Sequence, residues 1–413
     1  MTDTAPDTAA AISPRPEAQR RVLAVLVGSQ ILSGAGLAAG ITVGALLAQD
    51  MLGSTDLAGL PSALFTAGSA LAAVAVGRIS QARGRRPGLA IGYLTGAVGS
   101  AGVIAAAVAD SPVLLFIALF VYGAGTATNL QARYAGADLA APAHRARAVS
   151  TVLVATTLGG VVGPNLAAPT GRLADSLGLP TLAGPFLLSG TAYALAALVL
   201  AVWLRPDPLL LARGLDLRQP TGTTGTTTRR PGLIPGALTM ILTQLVMVAI
   251  MTMTPVHLHD HGHGTAASGL VIGIHVGAMY LPSPLTGWLV DRYGPTVVAV
   301  AAGLTLLAAG VTAAAAPGDS VALLALALAL LGLGWNLGLV SGTAMITDAV
   351  SLATRARTQG LVDVSIAIAG ATGGLGSGLV VAAAGYPVLA LTGGVLALAV
   401  LPAVVATASG SSR

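Results

Sequence analysis

Gly77-Arg78-Ile79-Ser80-Gln81-Ala82-Arg83-Gly84 lies between two apolar runs, and Gly287-Trp288-Leu289-Val290-Asp291-Arg292-Tyr293-Gly294 repeats its outline 210 residues later. The same offset carries Asp138, Arg145 and Arg147 onto Asp348, Arg355 and Arg357. It also carries Gly160 and Gly163 onto Gly370 and Gly373. Independent matches at one spacing predict an internal duplication, with each copy one structural unit.

What surrounds these loops sets the solvent. Of 413 residues 54% are hydrophobic and 8% charged, too few charges for a water-facing surface of that size. A hydrocarbon layer of roughly 30 Å takes about 20 apolar residues per helix. Twelve such runs are expected, near 22–48, 57–77, 88–109, 112–132, 148–170, 182–204, 233–256, 265–288, 296–316, 320–343, 359–384 and 386–407. The 54 glycines suit closely packed membrane helices, and the alternation of a β-barrel is absent. The fold class expected is an all-α membrane protein of twelve transmembrane helices in two pseudo-symmetric six-helix bundles. Its segments are a disordered N-terminus (1–20), a first bundle (21–205), a linker (206–232), a second bundle (233–407) and a tail (408–413).

Every one of the 20 basic residues is Arg. Arg78, Arg83, Arg85 and Arg86 follow the second run, Arg145 and Arg147 the fourth, and Arg205 to Arg230 fill the centre, with Arg292, Arg355 and Arg357 continuing the series. The opposite side holds Arg172 and the carboxylates Asp50, Asp56, Asp110, Asp175, Asp260 and Asp319. Short cytoplasmic loops are biased toward positive charge, so both termini are expected in the cytoplasm of a multi-pass inner (plasma) membrane protein. That topology accounts for the net charge of +5 without a nucleic-acid partner. Residues 1–20 lack the pattern of a cleaved signal peptide. With no cysteine, disulfides and thiolate metal sites are excluded. No phosphate-binding glycine loop followed by Lys occurs, so an enzyme or a nucleotide-driven pump is not expected, and no cofactor is implied.

The glycine, charge and aromatic pattern of the two loops resembles the signature loop of the major facilitator superfamily, with Gly77, Arg78, Gly84 and Arg85 in the first copy and Gly287, Asp291, Arg292 and Gly294 in the second. The second copy keeps the usual acid at Asp291, whereas the first has Gln81. The resemblance implies a carrier, expected to be monomeric in membrane lipid. Its two bundles would rock around a substrate held near the midplane, and the run Thr221 to Thr228 would be a flexible linker.

Candidate chemistry gathers in the second half. Of eight methionines, four fall in the seventh run, at Met240, Met247, Met251 and Met253. At helical spacing Met240, Gln244, Met247 and Met251 share a stripe within about 60°. His275 and Met279 are an i, i+4 pair on the next helix. Thioether and imidazole are soft donors that suit Cu(I), while Met as gap-filler and a histidine satisfied by a neighbour remain open. Met247-x-x-x-Met251 with His275-x-x-x-Met279 resembles the paired motifs of the CcoA-type bacterial copper importers. That resemblance implies Met247, Met251, His275 and Met279 as the path of a copper substrate.

Between these helices runs His257-Leu258-His259-Asp260-His261-Gly262-His263. Read as extended chain, it puts His257, His259, His261 and His263 on one side, able to collect a metal at the mouth; a solvated loop is the alternative. Gly159-x-x-x-Gly163-Pro164 resembles the glycine-proline motif of drug-proton antiporters, keeping proton-coupled efflux of small organic solutes as the alternative function, although close helix packing explains it equally. Asp363 is the candidate coupling acid, one turn inside its helix. Asn129, Gln131 and Asn336 are expected to line the cavity.

Overall fold

The computed structural model describes residues 15–52, 60–216, 232–318 and 320–403, which form helices with no strand among them. The first half contains α1 (Arg15–Leu52), α2 (Leu60–Arg83), α3 (Arg85–Val108), α4 (Pro112–Ala137), α5 (Arg145–Ser176) and α6 (Gly184–Trp203). A short α7 (Pro208–Asp216) follows. The second half contains α8 (Leu233–Asp260), α9 (Thr265–Tyr280), α10 (Ser283–Tyr293), α11 (Pro295–Ala315), α12 (Val321–Ala349), α13 (Arg355–Ala384) and α14 (Tyr386–Ala397).

Among the described residues ten helical stretches are long and apolar enough to cross a membrane, and α5, bent by 51° near Pro164, makes an eleventh. The 38 residues of α1 cover the first expected run and, at 1.5 Å per residue, reach about 57 Å. The expected run 265–288 is two helices, α9 and α10, that together make one span ending at Tyr293.

Three boundary expectations need correction. Residues 15–20 open α1 and are not part of an irregular N-terminus. The linker contains α7, whose Leu209 and Ala212 are buried; the apolar run Leu209-Leu210-Leu211-Ala212 gives it a face to bury. The seventh helix extends four residues further than expected, through Asp260. The Thr221–Thr228 run, residues 1–14, the tail 408–413, Asp56 and Asp319 lie outside the described residues.

The two large hydrophobic cores among the described residues lie one in each half. The first joins Val22, Leu89, Leu119, Tyr122, Phe186 and Leu200. The second joins Met240, Ile250, Leu306, Leu331, Val340 and Ile366, and annexes Ala146, Val149 and Leu153 of α5. Large apolar side chains such as Leu71, Val98, Leu375 and Leu379 point outward, as a lipid solvent requires. The halves meet chiefly where α2 packs on α13 and α5 on α10.

That meeting lies at the arginine-rich ends. A Cβ at Gly77 would sit 2.9 Å from the Ala356 carbonyl oxygen and 3.1 Å from Gly360 Cα. One at Gly287 would sit 2.8 Å from the Ala146 carbonyl oxygen. Only glycine lets these backbones approach so closely, and the pair is related by the 210-residue offset.

Candidate functional site: the seam between the bundles

Helices α5 and α13 begin at this seam without side-chain caps of their own. Orphan N–H groups at a helix start need acceptors, and the opposite bundle supplies them. Asp291 at the end of α10 accepts from Ala146 N at 3.0 Å and Arg147 N at 3.1 Å. Gln81 at the end of α2 accepts with Oε1 from Ala356 N at 2.8 Å and Arg357 N at 3.3 Å. Its Nε2 donates to the carbonyls of Leu352, at 3.3 Å, and Ala353, at 2.6 Å. The two caps are the same contact on either side of the pseudo-twofold axis. Both loops then turn on a left-handed glycine, Gly84 with φ 99° and Gly294 with φ 87°.

Ion pairs follow the same symmetry. Arg355 lies 3.7 Å from Asp138, and its counterpart Arg145 pairs with Asp348. Arg85, fully buried, donates to Asp138 at 2.8 Å and also to Gln359. Arg78, Arg83 and Arg292 are exposed and lie outside this network among the described residues. The switch-loop expectation thus divides: Asp291 and Arg85 are at the seam and Arg78 is on its surface.

One turn deeper the symmetry breaks. Arg133 of α4 is buried and donates from Nη2 to Asp363 Oδ1 of α13 at 2.8 Å and to Tyr134 Oη at 2.8 Å. Its Nε donates to Thr343 at 3.1 Å, and its guanidinium stacks 4.2 Å from the Tyr134 ring. Tyr134 donates to the same Asp363 oxygen at 3.2 Å. Asp363 Oδ2 is buried with no hydrogen bond. Thr343 is the repeat equivalent of Arg133, but the equivalent of Asp363 is Leu153. A charge pair therefore spans the bundles on one side only.

Asp363 stood out in the sequence because a carboxylate inside a membrane helix is costly. Arg133 deserved the same attention, but the expected run stopped at 132, whereas α4 continues to Ala137. Tyr134, Thr343, Trp335 and Tyr280 carried no signal of their own.

In the second bundle, Gln244 accepts from Trp335 Nε1 at 2.7 Å. That bond fixes its amide, with Nε2 turned toward Gly370, whose added Cβ would lie 3.2 Å away. Tyr280 sets its ring edge-on to Trp335, with centroids 5.7 Å apart. Gln244 and Tyr280 remain partly exposed. Amide and aromatic faces from α8, α9 and α12 thus converge.

The Met and His residues keep their helical spacing on α8 and α9, and most of them are packed into the core. Met240 packs on Gly342 of α12, and Met240 and Met247 are buried in the core while Met251 is on its edge. His275 is buried with Nδ1 2.9 Å from the Leu328 carbonyl oxygen of α12 and Nε2 without a partner. α8 and α9 both pack broadly on α12 and touch each other little. Among the described residues no three His, Asp or Glu side chains gather into a metal site.

Three cavity expectations fail on geometry. Asn336 is fully buried; it donates to the Met279 carbonyl and Ser283, each at 2.7 Å, and accepts from Thr286 at 2.6 Å. Every one of those partners flanks the α9–α10 break, which Asn336 staples together. Asn129 is buried inside the first bundle, donating to Ser33 at 2.8 Å, and Gln131 donates to the Ala73 carbonyl at 2.8 Å. Buried amides in lipid-facing bundles are consumed by backbone and hydroxyl partners.

The histidine run is corrected as well. It is the last turn of α8 and its exit, not extended chain, so alternate residues diverge and positions four apart meet. His257 and His261 have ring centroids 4.3 Å apart, whereas His263 turns to the Gly318 carbonyl at 3.2 Å and His259 is exposed. At Gly159 an added Cβ would lie 2.6 Å from Ala35 N, so Gly159 brings α5 close to α1; Gly163 is buried on the same helix.

Known proteins align along nearly the whole chain. A family model described as the Major Facilitator Superfamily matches residues 26–282 and 237–409. The chain is 57% identical over 393 residues to the uncharacterized MFS-type transporter YdeG of Bacillus subtilis (strain 168), covering 94% of this chain and 91% of that protein. It is 32% identical over 352 residues to the riboflavin transporter RfnT of Brucella anthropi, covering 84% of this chain and 85% of that one. The solved human organic anion transporter MFSD10 superposes with a TM-score of 0.76 at 18% identity, covering 94% and 99% of the two chains. The narrower resemblance to copper importers finds no support in these matches.

Proposed function

We propose, from the premise that this chain belongs to the Major Facilitator Superfamily, that it is a secondary carrier of a planar organic solute with carbonyl acceptors, coupled to protons through Asp363. The observation that carries the cargo class is the Gln244–Trp335–Tyr280 group. Trp335 holds the amide oxygen of Gln244, which leaves the amide N–H groups to meet a ligand's acceptors beside aromatic faces. The riboflavin transporter among the relatives supports the same chemistry.

Alternating access follows from the seam. With the arginine-rich ends in the cytoplasm, as the positive-inside bias predicts, the two caps and their ion pairs hold that side closed. Opening it requires Arg133 and Asp363 to part. Protonation of Asp363 removes the charge that attracts Arg133 across the seam, and Oδ2, which makes no hydrogen bond, is the free oxygen for the proton. A proton gradient can drive uptake or efflux through such a step, so direction follows from the order of binding.

Proteoliposomes loaded with unlabelled riboflavin and diluted into labelled riboflavin test the cargo. Counterflow that falls at least tenfold in Gln244→Ala supports the assignment. Absence of counterflow for riboflavin and for smaller planar heterocycles overturns it.

Copper is the second reading, and one observation favours it. The bond from His275 Nδ1 to a carbonyl fixes that nitrogen as the donor and leaves Nε2 as a bare lone pair, in a core that also holds Met247 and Met279. Cu(I) would be cargo, with Met251 on its route. Cellular copper uptake unchanged in Met247→Ala/His275→Ala removes this reading. Efflux in the manner of drug-proton antiporters keeps only Gly159, Gly163 and Pro164 in its favour, and the close approach of α5 to α1 at Gly159 supports packing instead.

A further inference from the structure

The face opposite the arginines carries a histidine arrangement that neither cargo reading uses. His257 in the last turn of α8 stacks on Tyr386 of α14, with centroids 4.3 Å apart and planes 14° from parallel. His261 follows one turn later, 4.3 Å from the His257 ring and tilted 56° to it. Its Nδ1 lies 2.8 Å from the His257 carbonyl oxygen. A carbonyl can only accept, so in neutral His261 the proton is on Nδ1 and the lone pair is on Nε2. Backbone carbonyls hold metal-binding imidazoles in the same way, fixing tautomer and ring orientation. Neither ring nitrogen of His257 makes a hydrogen bond among the described residues, so it too has a lone pair free.

We propose that His257 and His261 form a two-imidazole site for a borderline divalent transition cation such as Ni²⁺, Cu²⁺ or Zn²⁺. Positions i and i+4 on a helical turn put two imidazoles on one side, and imidazole suits these metals. Asp260, exposed between them, adds local negative charge without completing a three-residue cluster. Water fills the remaining coordination positions. The site is independent of the transported substrate: it lies at the end of α8, where Tyr386 supports one ligand and Gly318 packs against the other's ring. Binding would clip the last turn of α8 against α14 and the α11–α12 connection.

His259 serves as an internal control, because it projects from another side of the same turn. Purified full-length protein carrying no polyhistidine tag is titrated with NiCl₂ by calorimetry, with thermal unfolding followed in parallel. One saturable equivalent in the micromolar range is expected, with a rise in unfolding temperature. His257→Ala and His261→Asn should each weaken binding at least tenfold, and His259→Ala should leave it unchanged. The Asn variant keeps a donor for the His257 carbonyl, which separates loss of a ligand from loss of the helix end. No saturable binding overturns the proposal. So does full-affinity binding in the His257→Ala/His261→Asn double variant, which would move the metal to other residues.

Discussion

Gln81 and Asp291 occupy equivalent places in the two halves and cap equivalent helices of the opposite bundle, one with a neutral amide and the other with a carboxylate. One turn deeper the halves no longer correspond: Arg133 faces Thr343 across the axis, and Asp363 has Leu153 as its counterpart. The outer layer of the seam tolerates a change of chemistry because both side chains present oxygen to equivalent pairs of N–H groups. The inner layer has no such redundancy. Duplication supplied a symmetric clasp, and the Arg133–Asp363 pair beneath it distinguishes the halves.

Restoring symmetry to the inner layer gives the largest expected effect. Asp363→Leu copies Leu153 but leaves Arg133 buried without its counter-charge. Removing one partner of a buried pair costs about 3–5 kcal/mol, read as a lower unfolding temperature in detergent. Adding Arg133→Thr, which copies Thr343, should recover most of that stability while gradient-driven accumulation stays abolished. A double variant as unstable as the single one would show that the pair is not what Asp363 contributes.

The seam glycines come next. Gly287→Val forces a side chain against the Ala146 carbonyl and Ser150, and overpacking of this kind costs about 1–3 kcal/mol. Because the clash exists only with the arginine-rich side closed, the protein should shift toward the opposite conformation. Labelling of a reporter cysteine near Thr343 from the arginine-rich side should rise several-fold, and unchanged labelling would mean that α5 and α10 are not the closing surface.

These contrasts bear on what could be seen in the sequence. The apolar runs and the constant offset of 210 made the bundles and the clasp legible, since both are repeated and local. Asp363 was legible alone, because a charge inside an apolar run is conspicuous whatever it touches. Its partner is 230 residues away on the other bundle, and no periodicity relates two helices across a pseudo-axis. Asn336 misled for the complementary reason: a polar residue in an apolar run signals either a cavity or a satisfied staple, and only the break between α9 and α10 decides. The histidines were misassigned by one turn of helix, which reversed which of them meet.

Asp291→Asn tests the outer layer more gently. Asp291 divides the two N–H groups between its two oxygens, whereas the longer Gln81 reaches both with one; the shorter Asn, held where Asp291 is, turns an NH₂ toward the second donor. The loss of one capping bond and of the charge at the start of α5 should weaken closure by about 1 kcal/mol. Transport should fall several-fold with no change in unfolding temperature beyond a few degrees.

Gln81→Glu gives the smallest effect and the clearest reading of why the halves differ. A carboxylate would strengthen the cap on Ala356 N and Arg357 N through the helix dipole, by about 0.3–1 kcal/mol. It would also lose the bonds that Nε2 now donates to the Leu352 and Ala353 carbonyls, each worth about 0.5–1.5 kcal/mol. Arg213 of α7 already donates to the Leu352 carbonyl at 3.2 Å and to that of Gln81 at 3.0 Å, so the linker brings positive charge to this corner and the neutral amide completes the bonding. The two lost bonds outweigh the stronger cap, and attraction to the neighbouring Arg213 offsets part of the difference, leaving a net loss below about 1 kcal/mol at low salt. Added salt screens the new charge, so transport by Gln81→Glu should decline between low and high ionic strength while the parent protein's stays flat. Equal salt dependence in both would mean that the first-half clasp does not rely on the neutrality of Gln81.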